Sequence, residues 1–183
     1  MDTAAVIRDD NLVAELYRLG VRHLSYSAGH SFRSLSSADL IAGLAESTSA
    51  RINSSLILLF LRHPEFSTAV ADILPHVAES AADTLKLYYQ AATYLQRELR
   101  PQLISLLGKQ CDLPDLFSRE FHTPPNENIP VGASCQTALE ALGEVHTICS
   151  GWNYKWAKSY RQHIPLFIRN LERETQAHAP TNT

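Results

Sequence analysis

Five basic side chains are concentrated near the N-terminus, among three serines. They lie within sixteen residues and are Arg18, Arg22, His23, His30 and Arg33. Cationic side chains bind anions through charge-assisted hydrogen bonds, and nearby glycines allow backbone amides to approach an anion closely. The segment lacks an ordered phosphate-loop motif. An anion pocket and a solvated loop therefore both remain open as interpretations, and the solvated loop is favoured.

Two of these residues indicate a second chemistry. His23 follows Arg18 by five positions, which resembles the spacing in small helical ribonucleases of the HEPN class. In that resemblance His23 would transfer a proton and Arg18 would hold the phosphate. Leu19 stands where the class has a polar residue, and Gly20 predicts that the helix ends between the pair. A basic helix end that complements the helix dipole is the favoured interpretation, and RNA cleavage is the alternative.

Aromatic and basic residues alternate near the C-terminus. The aromatic residues are Trp152, Tyr154, Trp156 and Tyr160, and the basic ones are Lys155, Lys158 and Arg161. Such a mixture can stack on bases and follow a phosphate backbone. Residues 135–183, however, hold five basic and four acidic residues. The helical spacing of Trp156, Tyr160 and Ile164 favours packing against the core or a partner, and RNA binding stays as the alternative.

Composition and motifs exclude several other classes. The net charge of −3 gives no support to a dedicated non-specific nucleic-acid binder. His146 and Cys149 are three residues apart and Cys135 precedes them, but four-ligand zinc sites use paired cysteines that are missing here. We therefore expect no metal and no cofactor. The three scattered cysteines favour a reducing compartment, the cytoplasm.

Helical periodicity dominates the chain, and the two-residue alternation of strands is rare. We predict an all-α, single-domain bundle of about seven or eight helices over residues 1–174, with a Pro-rich surface loop at 121–134 and a disordered tail at 175–183. The longest helix is expected from about residue 78, interrupted or bent by Pro101, with its apolar face capped at Gly108. One short helical turn is expected at 113–117. A helix over 153–174 should bend at Pro165. The most apolar stretch, residues 56–61, is too short to span a membrane.

Several short segments of the sequence resemble those of a known group of proteins. They are Ala50-Arg51, residues 58–64, Tyr94-Leu95-Gln96, residues 113–118, Trp152-Asn153 and Ser159-Tyr160. They are similar to small helical bacterial proteins of undefined activity encoded beside nucleotidyltransferase-like genes, as in toxin and antitoxin pairs. The resemblance covers most of residues 36–170 and implies a non-enzymatic partner or neutralising protein.

The resemblance and the helical surfaces together predict a protein-binding function. We expect an antitoxin-like or regulatory subunit that masks a partner enzyme, and the resemblance implies a nucleotidyltransferase-like enzyme as the candidate partner. Exposed aromatic and large apolar residues dominate partner surfaces. The expected contact residues, beside the Pro-rich loop, are Leu113, Leu116, Phe117, Trp152, Tyr154, Trp156 and Tyr160.

Overall fold

The structure, a computed structural model, describes residues 9–25, 34–152 and 154–178. Within these ranges the regular elements are helical, so the predicted all-α, single-domain bundle is confirmed. The helices are α1 (Asp9–Arg18), α2 (Ser37–Glu46), α3 (Ala50–Asn53), α4 (Ser55–Arg62), α5 (Val70–Ile73), α6 (Glu79–Leu107), α7 (Ser118–Phe121), α8 (Gln136–Ser150), α9 (Trp156–Arg161) and α10 (Ile164–His178). Short 3-10 turns occupy Pro64–Ala69, Leu74–His76 and Asn126–Asn128.

Local sequence signals set several helix ends. Ser36 caps α2, because its side-chain oxygen accepts a hydrogen bond of 3.0 Å from the Asp39 backbone amide. Pro64 disfavours helical geometry at His63, so α4 ends at Arg62. Gly108 ends α6 with a φ of 78°, a left-handed value that a glycine adopts without strain. The boundary at Gly108 agrees with the sequence-based prediction.

The centre of the fold is the packing of α4 against α6. Every residue from Ser55 to Leu61 is buried, and α4 has its most extensive helix contacts with α6. The Phe60 ring meets the Tyr89 ring of α6 edge to face, with centroids 4.9 Å apart. The apolar stretch is therefore a core helix, as predicted. Within the described residues, none of the helices combines the length and apolar character that a membrane span requires.

Helix α6 continues through Pro101 rather than breaking there. Proline has no amide hydrogen, so it cannot donate to the carbonyl of Arg97 one turn earlier. Gly132 of the Pro-rich loop supplies the missing donor, with its backbone N 3.0 Å from the Arg97 O. Gly132 has a φ of 80°, and a Cβ there would lie 3.4 Å from the Pro101 ring. The loop thus docks on α6 at the position where the helix lacks its own hydrogen bond.

The predicted helical turn at 113–117 is wrong. Residues 111–116 form no regular secondary structure and lie along α6, and the helical turn begins only at Ser118. The Gln96 side chain accepts a hydrogen bond of 2.8 Å from the Leu113 backbone amide and donates one of 3.1 Å to the Cys111 carbonyl. Gln90 accepts from the Phe117 amide at 3.3 Å. Because side chains of α6 satisfy these backbone groups, the segment needs no helical hydrogen bonds of its own.

Three other boundaries differ from the predictions. The expected C-terminal helix is two helices, α9 and α10, separated at residues 162 and 163. Pro165 lies in the first turn of α10, where its missing amide hydrogen costs no helical bond, so it starts a helix instead of bending one. Helix α10 also continues to His178, past the predicted start of the tail at residue 175. Residues 1–8 and 179–183 lie outside the described part of the chain.

Candidate functional site

The C-terminal aromatic segment is anchored to α6 by a bidentate ion pair. The guanidinium of Arg161 donates to both carboxylate oxygens of Glu98, at 2.6 and 2.7 Å. The same carboxylate accepts from the Cys135 backbone amide at 2.7 Å. The hydrogen bonds and charge of Arg161 lower the pKa of Glu98 to about 2. One carboxylate therefore holds the end of α9 and the start of α8 against the longest helix.

Above this ion pair, His146 lies within an aromatic stack. The Trp156 ring is stacked on the His146 ring with centroids 3.5 Å apart, and a hydrogen bond of 2.8 Å joins His146 Nδ1 to the Tyr160 hydroxyl. The Tyr88 ring of α6 packs edge-on against both His146 and Tyr160. Burial lowers the pKa of His146 to about 4 and raises the pKa of Tyr160 well above its ordinary value. At neutral pH this site is an uncharged structural contact.

Large apolar side chains are exposed where α8 ends. Ile148 is 81% exposed, Trp152 is 74% exposed and Tyr154 is 58% exposed. The Trp156 indole N–H donates to the Trp152 carbonyl at 3.3 Å, and the Tyr154 and Trp156 rings meet with centroids 5.1 Å apart. We call the residues Ile148, Trp152, Tyr154 and Trp156 the aromatic turn. Its exposed apolar side chains are supported from below by Trp156, which is held in place by stacking on His146.

A cleft adjoins the aromatic turn. It has a volume of about 490 Å³ and lies between α8 and residues 154–158. Tyr154 and Trp156 contribute to its wall, with Glu140, Glu144, Lys155 and Lys158 around them. Two positive and two negative side chains leave the lining without net charge. This lining does not produce the basic surface that the RNA-binding interpretation needs, and Arg161 is already bound to Glu98.

The predicted contact residues divide into buried and accessible groups. Leu113, Phe117 and Tyr160 are buried in the hydrophobic core, which corrects their assignment to a contact surface. Leu116 is exposed, as are Trp152 and Tyr154. Trp156 is partly buried against His146. Packing against α6 accounts for the buried group, because the Phe117 ring meets Tyr89 edge to face.

The structure separates Arg18 from His23. Arg18 is exposed and pairs with the buried carboxylate of Glu15. His23 is buried, with its Nε2 hydrogen-bonded to the Ser55 hydroxyl at 3.1 Å and its ring 4.9 Å from that of His163. Burial and the nearby positive charge of His163 lower the pKa of His23 to about 4. The two side chains thus have different surroundings, and the geometry does not form the accessible pair that the ribonuclease interpretation requires.

The predicted anion group is only partly assembled. Arg18 and Arg22 line a cleft of about 660 Å³ together with Arg62 and Arg173, which sequence reasoning missed. His23 is buried elsewhere, and His30 and Arg33 lie outside the described residues. Arg62 ends α4 and Arg173 lies in α10, so no spacing in the sequence relates them to Arg18. We call this cleft the basic cleft.

The candidate metal ligands do not converge. His146 is buried in its aromatic stack, whereas Cys149 is exposed. Cys135 is buried beside Arg161, at 3.4 Å from its guanidinium. In the part of the chain that the structure describes, no group of three or more His, Cys, Asp or Glu side chains could hold a metal ion.

Comparison of the chain with protein-family models, with curated proteins and with solved structures gave no match in any of the three. Functional inference consequently rests on the residues and contacts described above.

Proposed function

We propose that this chain is a non-enzymatic protein-binding protein, an antitoxin-like or regulatory subunit that masks a partner enzyme. The observation that carries the proposal is the exposure of Ile148, Trp152 and Tyr154 within seven residues at the end of α8. Scattered apolar residues are common on protein surfaces, but a local concentration of them is typical of interaction sites. Tryptophan and tyrosine are also the residues that most often contribute large binding energies at interfaces.

The support beneath the aromatic turn strengthens this proposal. Trp156 is stacked on His146, and Arg161 fixes the following turn of helix to Glu98. A surface that is already ordered before binding loses less conformational entropy when a partner docks. The aromatic turn therefore has both the composition and the fixed support that a protein-binding surface requires.

The proposed partner is a nucleotidyltransferase-like enzyme encoded beside this protein. This part of the proposal rests on the resemblance carried by residues 36–170. The proposed compartment is the bacterial cytoplasm, and it is supported by the three cysteines, which are all free.

Co-expression of the chain with the product of the adjacent gene tests the proposal. We expect a stoichiometric complex in which the enzyme is inactive. The variant Ile148→Ser/Trp152→Ser should weaken the complex at least about a hundredfold, since two interface anchors cost roughly 1.4 kcal/mol or more each. The matched control, Ile104→Ser/Leu166→Ser, alters two exposed apolar residues elsewhere and should bind normally.

Two results would contradict the proposal. One is a chain that remains a lone monomer in the presence of the co-expressed enzyme. The other is RNA binding at low salt that is lost on Lys155→Gln/Lys158→Gln, which would favour the RNA-directed alternative.

A further inference from the structure

A second surface, distant in sequence from the aromatic turn, concentrates positive charge. The basic cleft is formed by the end of α1, the end of α4 and the second half of α10, and its volume is about 660 Å³. Its charged lining is Arg18, Arg22, Arg62, Arg173 and Glu174. The chain as a whole carries a net charge of −3. The cleft is therefore a small area of positive charge on a chain whose net charge is negative.

The carboxylates near the cleft do not neutralise it. Glu174 lies 2.8 Å from Arg62 and 3.7 Å from Arg22, so one carboxylate is shared by two guanidiniums. Glu15 pairs with Arg18. Glu65 pairs with His63, which also lines the cleft. The four arginines still outnumber these three carboxylates, so the cleft keeps an excess of positive charge. Arg173 is exposed and forms no ion pair with any residue that the structure describes.

The fold holds Arg62 in place within this lining. A Cβ on Gly20 would lie 2.5 Å from the Arg62 guanidinium, so a side chain there would displace this group from its pair with Glu174. Among the described residues, the buried Nη1 of Arg62 has no hydrogen-bond partner. Buried donors without partners are rare because desolvation is costly. This unsatisfied donor marks Arg62 as a guanidinium whose hydrogen-bonding capacity is not used up by Glu174.

The helix dipole explains only part of this arrangement. Arg18 and Arg62 lie in the last turns of α1 and α4, where a positive charge is favourable without any ligand. Arg22 follows α1 in a non-helical segment, and Arg173 is five residues before the end of α10. Their convergence on the same cleft is a property of the tertiary structure that the dipole does not require.

We propose that the basic cleft binds a small molecule that carries a phosphate monoester. A phosphate monoester has a charge of about −1.5 to −2 at neutral pH, which is opposite in sign to the excess charge of the cleft. Arginine is suited to phosphate because its planar guanidinium can donate two parallel hydrogen bonds. The volume lies within the range of small-molecule sites. Leu19, Gly20 and Ala177 provide uncharged wall for the remainder of the ligand.

Titration with inorganic phosphate, followed by NMR at constant ionic strength, tests this inference. We expect the amide signals of Leu19 and Gly20 to move saturably with phosphate and to stay unchanged with chloride. The variant Arg22→Gln/Arg173→Gln should raise the Kd for phosphate at least tenfold, and it should fold normally because both side chains are exposed. The control Lys109→Gln/Arg119→Gln removes the same charge from exposed sites outside the cleft and should change the Kd less than twofold.

Further probes distinguish the class of ligand. Dimethyl phosphate carries a single charge and should bind at least tenfold more weakly than inorganic phosphate. Equal effects of phosphate and chloride, or equal Kd values for the two double variants, would overturn the proposal. If a short RNA binds far more tightly than phosphate, with the same dependence on Arg22 and Arg173, the ligand of the cleft is RNA and the proposal of a small molecule is wrong. These measurements use the chain alone, so their outcome is independent of the proposed partner.

Discussion

Residues 111–124 and residues 135–163 both lie against α6, but different kinds of polar group hold them there. The backbone of the first segment is held by neutral side chains, since Gln90, Gln96, Tyr89 and Tyr94 bond it. Its two ion pairs with α6, Arg100–Asp112 and Lys86–Glu120, use carboxylates that are at least half exposed. The second segment is held by titratable side chains that are more buried, mainly Glu98, Arg161 and His146. The same helix thus holds the first segment mainly through neutral hydrogen bonds and the second mainly through titratable groups.

The difference also determines which aromatic residues reach the surface. Phe117 is buried because the Gln90 and Gln96 side chains satisfy the adjacent backbone and allow the chain to lie close to α6. Around the aromatic turn, Trp156 is fixed by His146, while Trp152 and Tyr154 remain exposed. Two aromatic-rich segments that look alike in sequence therefore differ in role, one as core and one as candidate interface.

The largest loss of stability is expected from acid, through the buried histidines. The folded-state pKa values of His23 and His146 are about 4, below the ordinary 6.5. Between these values the unfolded chain binds more protons, so the free energy of unfolding falls as the pH falls from about 6.5 to 4. Each histidine accounts for roughly 3 kcal/mol, and together they approach the whole stability of a domain. Urea unfolding at a series of pH values measures this loss.

A matched pair of histidine variants checks whether His146 causes this pH-dependent loss of stability. His146→Gln should remove about half of the pH dependence, whereas His76→Gln, at an exposed position, should leave it unchanged. Below about pH 4.5 the loss should continue, because the unfolded chain binds a proton at Glu98 while the folded carboxylate, with a pKa of about 2, stays charged beside Arg161. A stability that stays constant from pH 7 to 4 would contradict the lowered pKa values of the two histidines.

Gln96→Leu tests the neutral attachment. It leaves the buried Leu113 amide without its acceptor and removes the donor to the Cys111 carbonyl. We expect a loss of about 3 kcal/mol in the free energy of unfolding, with no dependence on pH, since leaving buried polar groups unpaired costs about 1–3 kcal/mol each. Gln102→Leu, on the exposed side of the same helix, serves as the control. Similar losses for both variants would contradict the assigned role of Gln96.

Glu98→Gln tests the titratable attachment. The amide keeps the size of the side chain but loses the charge that binds Arg161 in a bidentate pair. We expect a loss of about 2 kcal/mol at pH 7, the value typical of hydrogen bonds to charged groups. Glu120→Gln, which weakens the more exposed pair with Lys86, should cost at most about 0.5 kcal/mol. Thermal unfolding of both variants provides the measurement.

The smallest effect on stability is expected at the aromatic turn itself. Ile148→Ser and Trp152→Ser alter side chains that are mostly exposed in the folded chain. Each should change the free energy of unfolding by no more than about 0.5 kcal/mol. A loss above 2 kcal/mol for either variant would show that the residue supports the fold, and it would remove the main evidence for a protein-binding surface. Denaturant titration is sufficient for this comparison.

Local signals in the sequence predicted much of the helical framework. Three helix boundaries depend only on neighbouring backbone groups: the cap at Ser36, the stop before Pro64 and the glycine at 108. Their effects can therefore be predicted without the rest of the chain. The prediction failed where the partner is distant. The non-helical conformation at 113–116 is supported by Gln96, and the unbroken helix at Pro101 is supported by Gly132.

The candidate sites show the same limit. Sequence reasoning named Trp152 and Tyr154 as contact residues, and it offered Arg18 and Arg22 as anion-binding residues beside the favoured interpretation of a solvated loop. It could not add Arg62 or Arg173 to the arginines, and it could not assign His23 to the core. No periodicity relates residues from α1, α4 and α10, since their proximity results from packing.

By itself the sequence determined that this chain forms helices, where several of them begin and end, and that its aromatic residues cluster near the C-terminus. Those properties follow from side-chain periodicity and from hydrogen bonds within a few residues. Only the tertiary structure decided that Phe117 is core while Trp152 is exposed, and that four arginines share a single cleft. Burial and charge clustering depend on contacts between distant residues, which exist only once α6 has gathered the other segments around it.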